Sequence, residues 1–262
     1  NSQIKPFLLK HHKLALVVDL DKTLIQATEV CSYEDADRVI SMDITHKSDY
    51  FTVNLNKLYL IRLRPYVREF FESISPYYFM QVYTLSIRPY AIQIIHKIDP
   101  DGKYFSSRIL TQEDSIDQKK SISDIFTSGE KMAVVIDDSP EVWMNPDGSI
   151  YGGLVQFKPF KFFPPDYKPS RHKKHADSVK KLKKINSVNM KVLKDKYLER
   201  MSKVMRHIHS KYYDSNASDV ADVINKMKKA VFSGCFIYFC SIWKKNDIAQ
   251  KKLYIEKAEE FG

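Results

Sequence analysis

Five uninterrupted apolar residues, Leu14 to Val18, stand out against the mixed polarity around them. A run this short and this rich in β-branched residues predicts a strand buried on both faces, as in a parallel sheet. Similar runs follow at Phe79–Tyr83 and Met132–Ile136, with shorter candidates at Arg108–Leu110 and Leu154–Phe157. Between them the apolar spacing changes to three and four. Val67, Phe70, Phe71 and Ile74 share one face of a helix over Val67–Ser75 opened by Arg64-Pro65. Ala91, Ile94, Ile95 and Ile98 do the same for Tyr90–Ile98, opened by Arg88-Pro89. A further short helix is expected over Ile116–Phe126, carrying Lys120 near its start. Strands alternating with helices predict an α/β fold around a parallel sheet. Arg38–Met42, Tyr50–Leu55 and Leu58–Leu63, separated by polar turns, predict a small antiparallel β insert within about 30–63.

The pattern changes after Tyr167. Residues 168–185 are lysine-rich and weakly apolar, which predicts a basic linker or arm. From Asn189 a helix is expected, with Leu193, Tyr197, Met201, Val204, Met205, Ile208 and Tyr212 forming an apolar stripe that must pack on something. His207 and His209 are two apart and face different sides of such a helix, so they do not form a metal pair. Val231–Phe239 then predicts a strand and Lys252–Phe261 a helix.

Charge follows the same division. The chain has 42 Lys+Arg against 32 Asp+Glu, but residues 168–211 alone hold 15 against 3. A basic segment on a near-neutral body suits an anionic partner: a phosphorylated tail, an acidic protein surface or nucleic acid. Hydrophobic content of 44% and aromatic content of 13% fit a packed core. No apolar run approaches the roughly 18 residues of a membrane span, so no membrane role is expected. Cys31, Cys235 and Cys240 have no metal-ligand spacing and fit a reducing compartment. The first residue is Asn, which suggests a fragment or a processed chain.

Candidate chemistry sits where the strands end. Asp19 and Asp21, with Thr23 beyond, follow the first run, and ligands of open α/β sheets bind outside the carboxyl ends of strands. Two acids so close repel unless a cation lies between them, and oxygen-only ligands favour magnesium. A carboxylate beside magnesium can attack phosphorus; alternatively, both acids merely cap the following turn. Thr84 follows the Phe79–Tyr83 run, Lys120 opens a helix, and Asp137 and Asp138 follow Met132–Ile136. Together these are a carboxylate pair, a hydroxyl, an ammonium and a second carboxylate pair, which is what phosphoryl transfer requires.

The segment Val18-Asp-Leu-Asp-Lys-Thr-Leu-Ile25 resembles the haloacid dehalogenase superfamily, and within it the Fcp/Scp phosphatases of the RNA polymerase II C-terminal domain. Ile61-Arg-Leu-Arg-Pro65, Tyr83-Thr-Leu-Ser-Ile-Arg-Pro-Tyr-Ala91, Ile98-Asp-Pro-Asp-Gly102 and Val134-Val-Ile-Asp-Asp-Ser-Pro-Glu-Val-Trp143 are similar to further motifs of that group. Tyr66 stands where the family usually has Gly, and Ser86-Ile87 where Fcp proteins commonly have Gly-Thr. The resemblance implies a haloacid-dehalogenase-like Rossmannoid domain over 1–167. It also implies a basic linker and helix over 168–229, and an incomplete BRCT-like βα unit over 230–262.

The resemblance further implies a Mg2+-dependent protein serine/threonine phosphatase working through an aspartyl-phosphate. Asp19 would be nucleophile and Asp21 general acid, then base. Asp19, Asp21 and Asp138 would surround Mg2+, Thr84 and Lys120 would hold phosphate, and Asp137 would fix Lys120 or the metal shell. The implied substrate is the phosphorylated RNA polymerase II tail, with general transcription factors as partners, a nuclear location and no direct nucleic-acid binding. Two alternatives stay open: a small-molecule phosphatase on the same scaffold, and a non-catalytic phosphoprotein-binding module.

Overall fold

The apolar run Leu14–Val18 becomes β1, buried at every position. In this computed structural model, which describes residues 4–41, 47–126, 128–163, 195–235 and 248–261, β1 is the middle strand of a five-stranded sheet. Its neighbours are β5 (Tyr78–Tyr83) and β7 (Ala133–Asp137), both parallel to it. The short strands β6 (Ile109–Leu110) and β8 (Leu154–Gln156) extend the sheet on either side, giving the order β6-β5-β1-β7-β8. Because the chain leaves β1 for neighbours on both sides, a crevice opens at its carboxyl end, the switch point of such sheets.

Helices α3 (Val67–Ile74) and α4 (Arg88–Ile98) bury the expected faces, with Phe70, Phe71 and Ile74 of α3 and Ala91, Ile94 and Ile98 of α4 joining the core. Helix α1 (Ile4–Lys10) precedes β1 and buries Leu8. The insert is a separate antiparallel sheet in the order β2-β4-β3, formed by β2 (Ile25–Val30), β3 (Tyr50–Asn54) and β4 (Leu58–Leu63).

Two expectations are corrected. The segment expected as a strand over Arg38–Met42 is instead the end of helix α2 (Tyr33–Ser41), and Met42 lies outside the described residues. Ser32 Oγ accepts the Asp35 backbone N–H, Arg38 reaches Asp35 at 3.1 Å one turn back, and Ala36 and Val39 are buried. These local contacts favour a helix over an alternating strand. The helix expected over Ile116–Phe126 is only one turn, α5 (Ile122–Ile125), and Lys120 precedes it. Asp117 and Gln118 have left-handed backbones, φ 51° and 55°, which no helix tolerates, and Ser121 Oγ caps α5 by accepting from the Ser123 N–H.

Tyr66, in the place of the expected Gly, has φ 67°. The turn into α3 therefore keeps a glycine-like conformation on a residue with a Cβ, a strain of roughly 1–2 kcal/mol.

The stripe expected after Asn189 is helix α6 (Tyr197–Asp214); Leu193 and the basic segment up to residue 194 lie outside the described residues. Leu198, Met205, Ile208 and Tyr212 enter the main core, against α3. The Tyr78 hydroxyl donates to the Met205 carbonyl at 2.7 Å, and His209 Nε2 donates to the His12 carbonyl at 2.7 Å. Burial lowers the basicity of His209, which suits that neutral donor. Helix α7 (Val220–Ala230) adds Val220, Val223 and Ile224 to the same core. Of the strand expected over Val231–Phe239, residues 231–235 form bends and a turn, and the remainder lies outside the described residues. The helix expected at Lys252–Phe261 is α8 (Ile248–Glu260).

Two stability changes should follow. Ile208→Ala should lower the unfolding free energy by about 2–5 kcal/mol in denaturant titrations; a loss well below 1 kcal/mol would mean α6 is not part of the core. Tyr66→Gly should raise it by about 0.5–1 kcal/mol, since the relieved strain exceeds the added entropy of the unfolded chain. A loss instead would show that the Tyr66 ring makes contacts worth more than the strain.

Candidate active site

Each expected site residue stands at the carboxyl edge of the parallel sheet or on a loop folded over it. Asp19 follows β1 and continues its ladder, the backbone N–H donating to the Ile136 carbonyl at 3.0 Å. Thr84 follows β5, pinned by its N–H to the Leu110 carbonyl. Asp137 is the last residue of β7, and Asp138 the next. Lys120 comes from the loop before α5, anchored by its N–H to the Val142 carbonyl at 2.8 Å. These groups, with Asp21, Lys22 and Ser86, line one cleft of about 270 Å³.

At the centre is a buried ammonium between two buried carboxylates. Lys120 Nζ donates to Asp19 Oδ1 and to Asp137 Oδ2, both at 2.7 Å. Burial opposes the charged lysine, but Asp19 and Asp137 outweigh it and hold the ammonium above its ordinary range. Burial likewise pushes the Asp19 carboxyl up to about 7, with Lys120 opposing the rise and Asp137 adding to it. Asp137 is fully engaged. Oδ2 also accepts from the Trp143 indole N–H at 2.8 Å, and Oδ1 from the Ser139 N–H at 2.9 Å.

Asp21 is held differently. Its Oδ2 accepts from Ser86 Oγ at 2.6 Å and its Oδ1 from the Tyr90 hydroxyl at 2.9 Å. Burial raises its pKa, against those hydrogen bonds and the Lys120 and Lys22 charges. Burial, and then the Asp137 charge, raise Asp138, while Thr23 steadies it. The Asp138 N–H donates to Thr23 Oγ1 at 3.1 Å. Thr84 is buried and its Oγ1 accepts from the Ser86 N–H at 3.2 Å, leaving the hydroxyl proton to donate elsewhere.

Among the described residues, one group of three carboxylates has oxygens within 4.8 Å of one another: Asp19, Asp137 and Asp138. The Asp21 carboxylate, expected beside Asp19 and Asp138 around a metal, stands outside that group, on Ser86 and Tyr90. The donors are all oxygen, the class that hard cations such as magnesium take. The lining acids, Asp19, Asp21, Asp137 and Asp138, face two ammonium groups, Lys22 and Lys120. A divalent cation would balance the remaining two charges, so the residues fit one.

Sequence reasoning gave no role to Ser86, Tyr90, Trp143 or Lys22. All four lie inside motifs already singled out, but nothing in their spacing says which group each will meet. Lys22 carried a signal only the backbone reveals. Its φ is 60°, its N–H donates to the Ile25 carbonyl, and its carbonyl accepts from the Phe160 N–H. That left-handed geometry on a long side chain costs on the order of 1 kcal/mol.

Comparison with known proteins agrees with this geometry. Residues 14–162 match the model of the NLI interacting factor-like phosphatases, and that span does not reach the segment read as the start of a BRCT unit. The chain is 28% identical to a C-terminal domain phosphatase of RNA polymerase II from Caenorhabditis elegans, over 97% of its own length and 38% of the relative's. It is 24% identical to RNA polymerase II C-terminal domain phosphatase-like 4 of Arabidopsis thaliana, over 98% of its length and 58% of that relative's. The chain thus spans less than two thirds of either relative. Among solved structures, one of Fcp1, described as an essential RNA polymerase II CTD phosphatase, superposes with a TM-score of 0.72 at 25% identity, covering 100% of this chain and 83% of that one. A fission yeast Fcp1 variant bound to beryllium fluoride gives 0.68 at 26% identity, covering 94% and 79%. With more than half of its residues matched by the family model and these motifs gathered in one cleft, the chain belongs to the NLI interacting factor-like phosphatases.

Proposed function

We propose that the protein is a Mg2+-dependent protein serine/threonine phosphatase that works through an aspartyl-phosphate on Asp19. The observation that carries this reading is the contrast between two neighbouring carboxylates. Burial raises both, but Asp19 is held by an ammonium, which favours its ionised form, whereas Asp21 is held by two hydroxyls. Paired carboxylates in unlike environments are how a site divides nucleophile from acid.

In the proposed reaction an Asp19 oxygen attacks phosphorus and the bond from phosphorus to the serine or threonine oxygen breaks. Asp21 gives its proton to the departing oxygen, with Ser86 and Tyr90 fixing its direction. Asp21 then takes a proton from water as the water attacks the aspartyl-phosphate. The bond from phosphorus to Asp19 breaks, and inorganic phosphate leaves. Lys120 and the Thr84 hydroxyl hold the phosphate oxygens, and Asp137, engaged by Trp143 and the Ser139 N–H, holds Lys120 in place. Bound Mg2+, held by Asp19 and Asp138, would offset the repulsion between a dianionic phosphate and the anionic cleft.

The substrate we infer is the phosphorylated C-terminal tail of RNA polymerase II, and the location the nucleus. Support for both comes from the relatives named for that activity.

The direct experiment is phosphate release from a phosphorylated heptad peptide, with Mg2+ and with chelator. Release should require Mg2+ and fall by roughly three orders of magnitude or more in Asp19→Asn, with folding retained. Appreciable turnover by Asp19→Asn would remove it as nucleophile. Release from a simple aryl phosphate but not from the peptide would point to a small-molecule phosphatase, and release from neither to a binding module.

Metal and pH should be linked. Without metal, Asp19 binds its proton more tightly in the folded chain, about 7 against 3.8. Its contribution to stability is therefore full below the lower value and lost as pH rises through the higher one. Mg2+ holds the ionised form, so the stabilisation it gives, read as a rise in melting temperature, should grow between about pH 5 and about pH 8; at a hundredfold excess over Kd it is worth about 2.7 kcal/mol. No Mg2+ effect on melting at either pH would argue against a metal site here.

A further inference from the structure

Lys22 occupies a position where the backbone favours glycine, yet it carries a long cationic side chain. The left-handed turn is locked on both sides, by the Lys22 N–H on the Ile25 carbonyl and by the Phe160 N–H on the Lys22 carbonyl. The side chain is exposed and lines the same cleft as Asp19, Asp21, Thr84 and Lys120. Among the described residues its ammonium makes no hydrogen bond and no ion pair, although it lies near enough to Asp21 and Asp138 to act on both. Strain kept at a functional cleft, on a side chain with no structural partner, points to a role in binding.

Two further exposed lysines adjoin it. Lys158 and Lys161 flank Phe160, whose backbone N–H is paired to the Lys22 carbonyl, so the segment that carries both is tied to the Lys22 turn. The Lys158 carbonyl is fixed by Arg64 Nη1 at 2.9 Å, which holds this second strand of the lip in position. The four acids inside the cleft exclude a second anion from its depth. An anion can be accommodated only at the lip, beside a first phosphate bound at Lys120.

We propose that Lys22, with Lys158 and Lys161, recognises a second phosphate on the same peptide, close in sequence to the phosphate being removed. The inference rests on the phosphopeptide reading above and extends it to specificity. The enzyme would act preferentially on multiply phosphorylated segments, and the preference would enter through substrate affinity, because the lip touches no reacting atom.

The test is binding to the full chain carrying Asp19→Asn, read by fluorescence anisotropy at low salt. Three peptides are compared: one phosphoserine, two phosphoserines, and one phosphoserine with Glu in place of the second. The doubly phosphorylated peptide should bind about two- to fivefold more tightly than the singly phosphorylated one, the range that exposed charge pairs support. Adding Lys22→Gly should bring that ratio close to one, and raising salt should shrink it. Glycine adopts the left-handed turn freely, so this variant should melt at or above the parent temperature, and the lost preference would not reflect unfolding.

The proposal is overturned if the parent shows no preference, or if Lys22→Gly leaves the ratio unchanged. It is also overturned if the Glu peptide binds as tightly as the doubly phosphorylated one, since the lip would then read any carboxylate. Turnover of the singly phosphorylated peptide by the unmodified chain is measured in parallel. Its absence would count against the phosphatase reading, while the binding ratio would still decide the lip.

Discussion

A lysine ammonium buried between two carboxylates organises this molecule. Removing such a charge from water is costly, and it is tolerated only when opposite charge and hydrogen bonds surround it. Lys120 meets that condition by drawing Asp19 from the end of β1 and Asp137 from the end of β7 to the same 2.7 Å contact. The two strands are neighbours in the sheet, so backbone pairing and side-chain pairing reinforce each other. Trp143 and the Ser139 N–H also donate to Asp137 and fix its carboxylate beside the ammonium. The cleft is rigid where its charges are densest, which is what electrostatic preorganisation requires.

Most of this was legible in the sequence, and the reason is period. Leu14–Val18 and Met132–Ile136 are continuous apolar runs ended by acids, and a parallel sheet leaves little choice about where those acids go. The helices with clean three-four spacing, α3 and α4, were equally plain. What failed was local. Arg38–Met42 has the composition of a strand, but Ser32 and the Asp35–Arg38 pair stabilise a helix there. Ile116–Phe126 has helical composition, but two left-handed residues interrupt it. The partners of Asp21 were not legible either, because Ser86, in the loop after β5, and Tyr90, on α4, meet it only across the fold.

Backbone strain and chemistry coincide in an instructive way. Tyr66 and Lys22 both hold left-handed conformations that glycine would hold without cost, and both lie in segments resembling motifs of the phosphatase group. At Tyr66 the turn holds a glycine-like conformation on an aromatic residue. At Lys22 the residue brings a charge to a cleft whose other walls are fixed. The same backbone device thus serves shape in one place and recognition in the other.

Helix α6 closes the opposite end of the sheet. Tyr78, at the first residue of β5, is tied to Met205, and about 20 Å further on, just past the end of the same strand, the chain delivers Thr84 to the cleft. The family match stops at residue 162, so α6 falls outside the part of the chain by which such proteins are recognised. A substitution at Met205 or Ile208 would leave every motif intact and would be scored as silent by any comparison confined to them. It would nevertheless loosen the fixed end of a strand that carries a hydroxyl into the cleft, so sequence drift in this helix is a form of change in the cleft itself.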